Sequence, residues 1–142
     1  MPRFVLLYHD CPSGVPRPSH YDLMLESGGV LRTWVLAELP RDWAALASRL
    51  SLAGVESPSI AAGNSVAAER LGDHRLAYLE YEGPVSGGRG SVSRLDGGTT
   101  DSIDETPDRW EVTLAGNEIN GRISLRRQPG DDAMWQLTAG DQ

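Results

Sequence analysis

Lysine is absent from this chain of 142 residues; all thirteen basic residues are arginine. That absence excludes Schiff-base chemistry and a Walker-type phosphate loop, both of which need a lysine amine. The one cysteine, Cys11, excludes an intrachain disulfide and a cysteine-rich zinc framework. No apolar run approaches the roughly 18 residues of a transmembrane helix. A lone Arg3 before the short apolar run Phe4 to Tyr8 predicts no signal peptide. The expectation is a soluble, cytoplasmic protein without a membrane partner. Glycine and proline, 16 and 9 residues, stay below the range of collagen or low-complexity chains. Four Trp, four Tyr and one Phe supply core anchors that disordered chains lack. The length fits a single domain spanning 1–142.

Charge narrows the functional classes. The net charge is −7, which does not suit a protein that coats nucleic acid through bulk positive potential. Residues 1–100 carry nine Arg and eleven acids, whereas residues 101–142 carry four Arg and nine acids. An anionic ligand is therefore expected to meet the first two thirds.

Short apolar runs between turn signals predict a mainly β fold with one short helix, either a small barrel or a sandwich. Arg3 to His9 is rich in strand formers. Tyr21 to Glu26 and Val30 to Ala37 flank Ser27-Gly28-Gly29 and predict a hairpin. After Pro40, the spacing of Trp43, Leu46, Ala47 and Leu50 predicts a helix with Asp42 as N-cap. Residues 51–65 are small and polar and predict a loop. Further strands are expected near 75–81, 89–95, 109–115, 119–127 and 133–138, and Ala139 to Gln142 as a frayed tail. The four tryptophans are expected in the core.

The histidines are His9, His20 and His74. In His20-Tyr21-Asp22-Leu23-Met24-Leu25-Glu26, a period of two puts His20, Asp22, Met24 and Glu26 on one face and Tyr21, Leu23 and Leu25 on the other. The second face is core. The first gathers an imidazole and two carboxylates, a donor set suited to Mn²⁺, Zn²⁺ or Fe²⁺. His9, at the end of the preceding strand, completes a two-His, one-Asp set with open positions for chemistry. Taken alone, the pattern is more often that of polar residues on the solvent side of a strand than that of a metal site. His74 and Tyr78 share a face at either period, with Asp73 placed to orient the histidine. Ser86-Gly87-Gly88-Arg89-Gly90 offers amides and a guanidinium to a phosphate, but without the strand–loop–helix context and the lysine of a phosphate loop a plain turn fits better. A Cys11–His9 nucleophilic pair is disfavoured by adjacency, and a free thiol is expected.

In order along the chain, His9, the block His20 to Glu26, Val30-Leu31-Arg32-Thr33-Trp34, Asp73-His74-Arg75-Leu76-Ala77-Tyr78, Tyr81-Glu82-Gly83 and Gly88-Arg89-Gly90 resemble the 3′-phosphoesterase domain of bacterial and archaeal DNA ligase D. The resemblance extends from about residue 3 to Trp135-Gln136-Leu137. It implies a small closed or partly open β-barrel of about eight strands with one short helix, which uses Mn²⁺, or another divalent transition metal, to remove 3′-phosphates and 3′-ribonucleotides from DNA or RNA-primed DNA ends before ligation. It implies His9, His20 and Asp22 as metal ligands and His74 and Tyr78 as catalytic residues, with a ligase or polymerase as partner. Three departures stand out. Met24 occupies the position of a phosphate-binding arginine, and a thioether neither donates nor carries charge. Glu38 reverses a basic position. The His9–His20 spacing is lengthened, with Pro12, Pro16 and Pro18 inside it. Arg17, Arg32 and Arg89 are the candidate substrate-binding replacements for the missing cation. Losing one such guanidinium is worth about 1.5–3 kcal/mol. The departures motivate an alternative, a catalytically weakened module that binds metal or DNA ends. A third reading is a metal-dependent hydrolase of a small phosphoester or nucleotide, which the acidic pI suits.

Overall fold

The computed structural model describes residues 1–12, 17–52, 54–55 and 59–140, together with the side chains of all of these except residues 86, 102 and 103. The expectations for Pro16 and for the end of the tail, residues 141–142, lie outside the described residues.

Among the described residues nine strands form: β1 (Arg3–Asp10), β2 (His20–Ser27), β3 (Val30–Leu36), β4 (Ser65–His74), β5 (Gly83–Pro84), β6 (Ser91–Thr106), β7 (Arg109–Gly116), β8 (Asn120–Arg127) and β9 (Met134–Ala139). Eight of them, in the order β1-β2-β3-β4-β9-β8-β7-β6, pair antiparallel, and β6 pairs back onto β1. The sheet is thus a closed barrel with no free edge; the two-residue β5 pairs with β6. The β2–β3 hairpin turns on Gly28 and Gly29, both at positive φ (62° and 81°), between the paired Ser27 and Val30. A two-residue connection with two positive φ angles matches the twist of the strands and favours glycine.

Three sequence expectations are corrected. Ala139 and Gly140 are not a frayed tail: Ala139 ends β9, is 2% exposed and donates its N–H to the Asn64 oxygen, and the Gly140 N–H donates to the Arg122 oxygen. The segment near 75–81 is not a strand: Leu76–Leu79 is a 3₁₀ turn. The strand in this region is β4, ten residues whose burial alternates only over Ser65–Ala68. Its Ala, Glu and Gly residues have weak strand propensity, and pairing with β3 and β9 overrides it. The helix following β3 begins as a 3₁₀ segment (Arg41–Leu46) with Pro40 at its N-cap. Asp42 lies in its first turn, and the helix continues as α1 (Ala47–Leu52).

Inward-facing side chains form the main core: Phe4 and Leu6 from β1, Tyr21, Leu23 and Leu25 from β2, and Trp34, Trp110 and Trp135, with Trp43 from the helix. The Trp34 ring meets the Trp110 and Trp135 rings edge-on at 5.4 and 5.7 Å. Arg70 enters this interior, its guanidinium carbon 4.5 Å from the Trp34 ring centre. Burial pulls the Arg70 pKa down from its usual value. The buried Asp96 carboxylate accepts the main-chain N–H groups of Asn117, Glu118 and Ile119 at 3.0, 3.0 and 2.7 Å, tying the β7–β8 turn to β6.

A second apolar layer lies on the other face of the same wall. Val5, Leu7, Met24 and Leu31 point outward and pack with Leu79 and Val92, and Leu76, Tyr78 and Val85 pack against them. The segment from Leu76 to Val92 therefore covers the outside of β1–β3. Both faces of β2 are buried.

Candidate metal centre

His20 and Asp22 do share the outer face of β2, as the period of two requires, but this face is not solvent-facing. His20 is 4% exposed and Asp22 5%. Burying a carboxylate is costly unless something neutralises it.

The β1–β2 register sets His9 directly opposite His20 and Leu7 opposite Asp22. The imidazole centres of His9 and His20 are 4.8 Å apart. Each ring is oriented by a main-chain carbonyl. The Nε2–H of His9 donates to the Arg89 oxygen at 2.8 Å, and the Nδ1–H of His20 donates to the Pro18 oxygen at 2.8 Å. A carbonyl only accepts, so these bonds fix the tautomers and leave a lone pair on His9 Nδ1 and on His20 Nε2. Both free nitrogens face Asp22: His9 Nδ1 lies 3.8 Å from Oδ2, and His20 Nε2 3.2 Å from Oδ1. The 3.2 Å approach is not aligned as a hydrogen bond, and Oδ1 is buried with no hydrogen-bond partner among the described residues. Burial disfavours the charged form of His20, but Asp22 outweighs it and the histidine pKa is raised. Two lone pairs and an orphaned carboxylate oxygen are the kinds of donor that a three-ligand divalent cation site would use.

Cys11 stands at the rim. Donor atoms of His9, Cys11 and His20 lie within 4.8 Å of one another, which makes this trio the competing ligand set. The thiol, however, faces His20 through Nδ1, at 4.0 Å, and that nitrogen already donates to Pro18. Burial, then Asp22 and Asp10, push the thiol pKa up, so it is protonated near neutrality. The Asp22 set is the better one, and Cys11 is a free thiol.

Further along the same face, Met24 lies opposite Thr33. The Thr33 hydroxyl donates to Leu31 O at 3.1 Å and lies 3.0 Å from His74 Nδ1, which is also 3.0 Å from Gly72 O. His74 Nε2 thereby keeps its lone pair. The His74 and Tyr78 rings meet edge-on, 5.6 Å between centres, so the pair expected from sequence is brought together. Asp73 does not orient His74; it pairs with Arg32 at 2.5 Å.

The cations fare differently from expectation. Arg17 sits beside His20 but holds Glu69 in two bonds of 2.9 and 3.1 Å, and Arg32 is held by Asp73. Arg89 contributes its carbonyl to His9, and its side chain is exposed and engaged in interactions of its own. Met24 is 1% exposed within the outer apolar layer, and Glu38 is exposed just past β3. Two clefts flank the centre. One, about 220 Å³, is lined by Arg17, His20 and Glu69 among others. The other, about 260 Å³, includes Tyr78, Tyr81 and Arg75. A larger cleft, about 620 Å³, is on the β7–β8 wall and contains none of these residues. Sequence reasoning missed the Pro18 and Arg89 carbonyls and the Thr33 hydroxyl. None carries a type-specific signal, because any residue supplies a carbonyl.

No family model matches the chain. Over 122 residues, 81% of its length, it is 31% identical to the multifunctional non-homologous end joining protein LigD of Mycobacterium bovis. It is equally similar to the multifunctional non-homologous end joining DNA repair protein LigD of Mycobacterium tuberculosis. The chain spans 14% of the length of these relatives, so the similarity is to one portion of a larger polypeptide.

Proposed function

We propose that this chain is a metal-dependent phosphoesterase that acts on 3′-phosphate or 3′-ribonucleotide ends of nucleic acid during end-joining DNA repair. The observation that carries the reading is the orphaned Asp22 Oδ1 facing two imidazole nitrogens whose tautomers are set by Pro18 and Arg89. The similarity to proteins named for end joining supplies the nucleic-acid context.

His9 Nδ1, His20 Nε2 and Asp22 would hold an Mn²⁺-class ion, to which mixed imidazole–carboxylate donors are suited. When bound, such an ion supplies Lewis acidity toward the phosphoryl group and the water that attacks it. His74, held at Nδ1 by Gly72 and Thr33, presents Nε2 to accept a proton or, once protonated, to donate to a phosphate or leaving oxygen. Tyr78 packs on this imidazole and keeps its plane fixed. The segment from Leu76 to Val92 limits water on the centre's flank, which strengthens each charge interaction inside. The substrate is the 3′ end of DNA or of RNA-primed DNA, with a ligase or polymerase acting on the healed end.

The direct test incubates the protein with a 3′-phosphorylated primer-template and Mn²⁺ and measures released phosphate. Release that disappears in Asp22→Asn and His74→Ala supports the reading. Folded, Mn²⁺-loaded protein that releases nothing from primer-template overturns it.

A second reading is favoured by Met24 in an apolar layer and by Arg17 and Arg32 committed to acids. On this reading the chain binds metal and nucleic-acid ends without turnover. Tight end binding with no phosphate release selects it.

A further inference from the structure

The position of the missing arginine is filled by a buried thioether, and two candidate replacements are spent on Glu69 and Asp73. Next to His74 in the chain, Arg75 is a cation that neither acid has taken. Its guanidinium has no side-chain partner among the described residues, it is exposed, and it lines the 260 Å³ cleft beside Tyr78. Its main chain is fixed, since the Tyr78 N–H donates to the Arg75 oxygen at 3.1 Å.

The same cleft holds an aromatic ladder. Tyr78 meets His74 at 5.6 Å and Tyr81 at 5.8 Å, both edge-on. Tyr81 is 39% exposed, among the few large apolar side chains that solvent reaches. Its hydroxyl donates to the Pro84 carbonyl, so its ring is held in place before any ligand arrives. The cleft is smaller than the roughly 300–1,000 Å³ of a drug-sized pocket, room for one nucleoside and not for a duplex. An exposed ring next to an unpaired guanidinium, on a chain of net charge −7, is an unusual local exception. Rings bind bases through their π faces, and guanidinium binds phosphate through its fork of donors.

We infer that this cleft is the seat of the terminal nucleoside: its base lies against Tyr81, and Arg75 draws the adjoining phosphate toward His74. The inference rests on the phosphoesterase reading for the position of the phosphate, but the seat itself binds without turnover. In the larger β7–β8 cleft Arg109 and Arg126 are paired with Asp104 and Glu111, and Arg122 also lines it, but no aromatic ring among the described residues does.

Calorimetric titration of the full chain, without metal, with adenosine 3′-monophosphate, adenosine and inorganic phosphate tests it. Adenosine 3′-monophosphate should bind at least tenfold more tightly than phosphate, the range expected for one stacked base. Tyr81→Ala should erase that preference, and Tyr81→Phe should keep it, which separates stacking from the Pro84 anchor. Arg75→Ala should weaken adenosine 3′-monophosphate and phosphate alike by about tenfold while leaving adenosine unchanged. Equal affinity for phosphate and adenosine 3′-monophosphate overturns the seat, as does a folded Tyr81→Ala that keeps the preference. Primer-template turnover separates the two readings. If nucleoside preference persists without any phosphate release, the seat stands and the phosphoesterase reading falls. If release occurs with KM unchanged in both Arg75→Ala and Tyr81→Ala, the phosphoesterase reading stands and the seat falls.

Discussion

His9 and His20 face each other directly across the β1–β2 ladder, 4.8 Å between ring centres, and each has one nitrogen tied to a main-chain carbonyl. The two remaining lone pairs converge on one buried carboxylate. An arrangement of this kind is uneconomical without a cation, because a buried carboxylate oxygen without a partner costs its full desolvation penalty.

Asp22→Asn should therefore separate stability from metal binding. Without metal, the variant should melt at the same temperature as the parent or higher, since a buried charge is removed. With Mn²⁺ at about 100 times its Kd, the parent should gain about 2.7 kcal/mol, a shift of several degrees. The variant should gain little. Differential scanning calorimetry with and without Mn²⁺ measures both. A variant stabilised by Mn²⁺ as strongly as the parent contradicts the ligand assignment.

Gly90 carries the second test, since the carbonyl that orients His9 belongs to the residue before it. Gly90 has φ +97°, and a Cβ there would sit 1.9 Å from the Asp10 oxygen. Gly90→Ala must push the chain off β1 and take the Arg89 carbonyl from His9. We expect a loss of about 1–3 kcal/mol in stability and a 10–100-fold loss of metal affinity, the usual cost of losing an orienting partner. Urea unfolding and Mn²⁺ titration read the two effects.

The Arg17–Glu69 pair predicts a pH dependence. Its bonds to Arg17 hold the Glu69 carboxyl below the usual carboxylate range. A depressed folded-state pKa stabilises the protein above the unfolded value, near pH 4.3, and that contribution disappears as pH falls through the folded pKa. Both side chains are more than a third exposed (39% and 38%), so the contribution should be under about 1 kcal/mol. The stability gap between the parent and Glu69→Gln should shrink steadily below pH 4.3. A gap independent of pH would refute the pair's role.

Arg70 tests the barrel interior. Arg70→Ala removes a guanidinium seated on Trp34 and near Trp110 and Trp135, and should cost about 2–4 kcal/mol in lost packing and cation–π attraction. Arg70→Met keeps the stem volume and should cost less. Tryptophan emission should shift to the red in Arg70→Ala as water enters. Unchanged emission and stability would show that the guanidinium contributes nothing there.

Local pattern was enough to place His20 and Asp22 on one face of a strand, to set the hairpin at Gly28 and Gly29, and to recognise a mainly β chain with one helix. These features depend on neighbours two to four residues apart, where backbone period and glycine geometry decide. Only the tertiary structure decided that the outer face of β2 is buried under Leu76–Val92, that Ser65–His74 is a strand, and that Arg17 and Arg32 are taken by Glu69 and Asp73. It also decided that Arg70 enters the tryptophan core and that Arg75 has no side-chain partner among the described residues. Each of these depends on groups brought together by strand order across gaps of about 40 to 80 residues. A period in the sequence says which way a side chain points, but not what the rest of the chain lays over it.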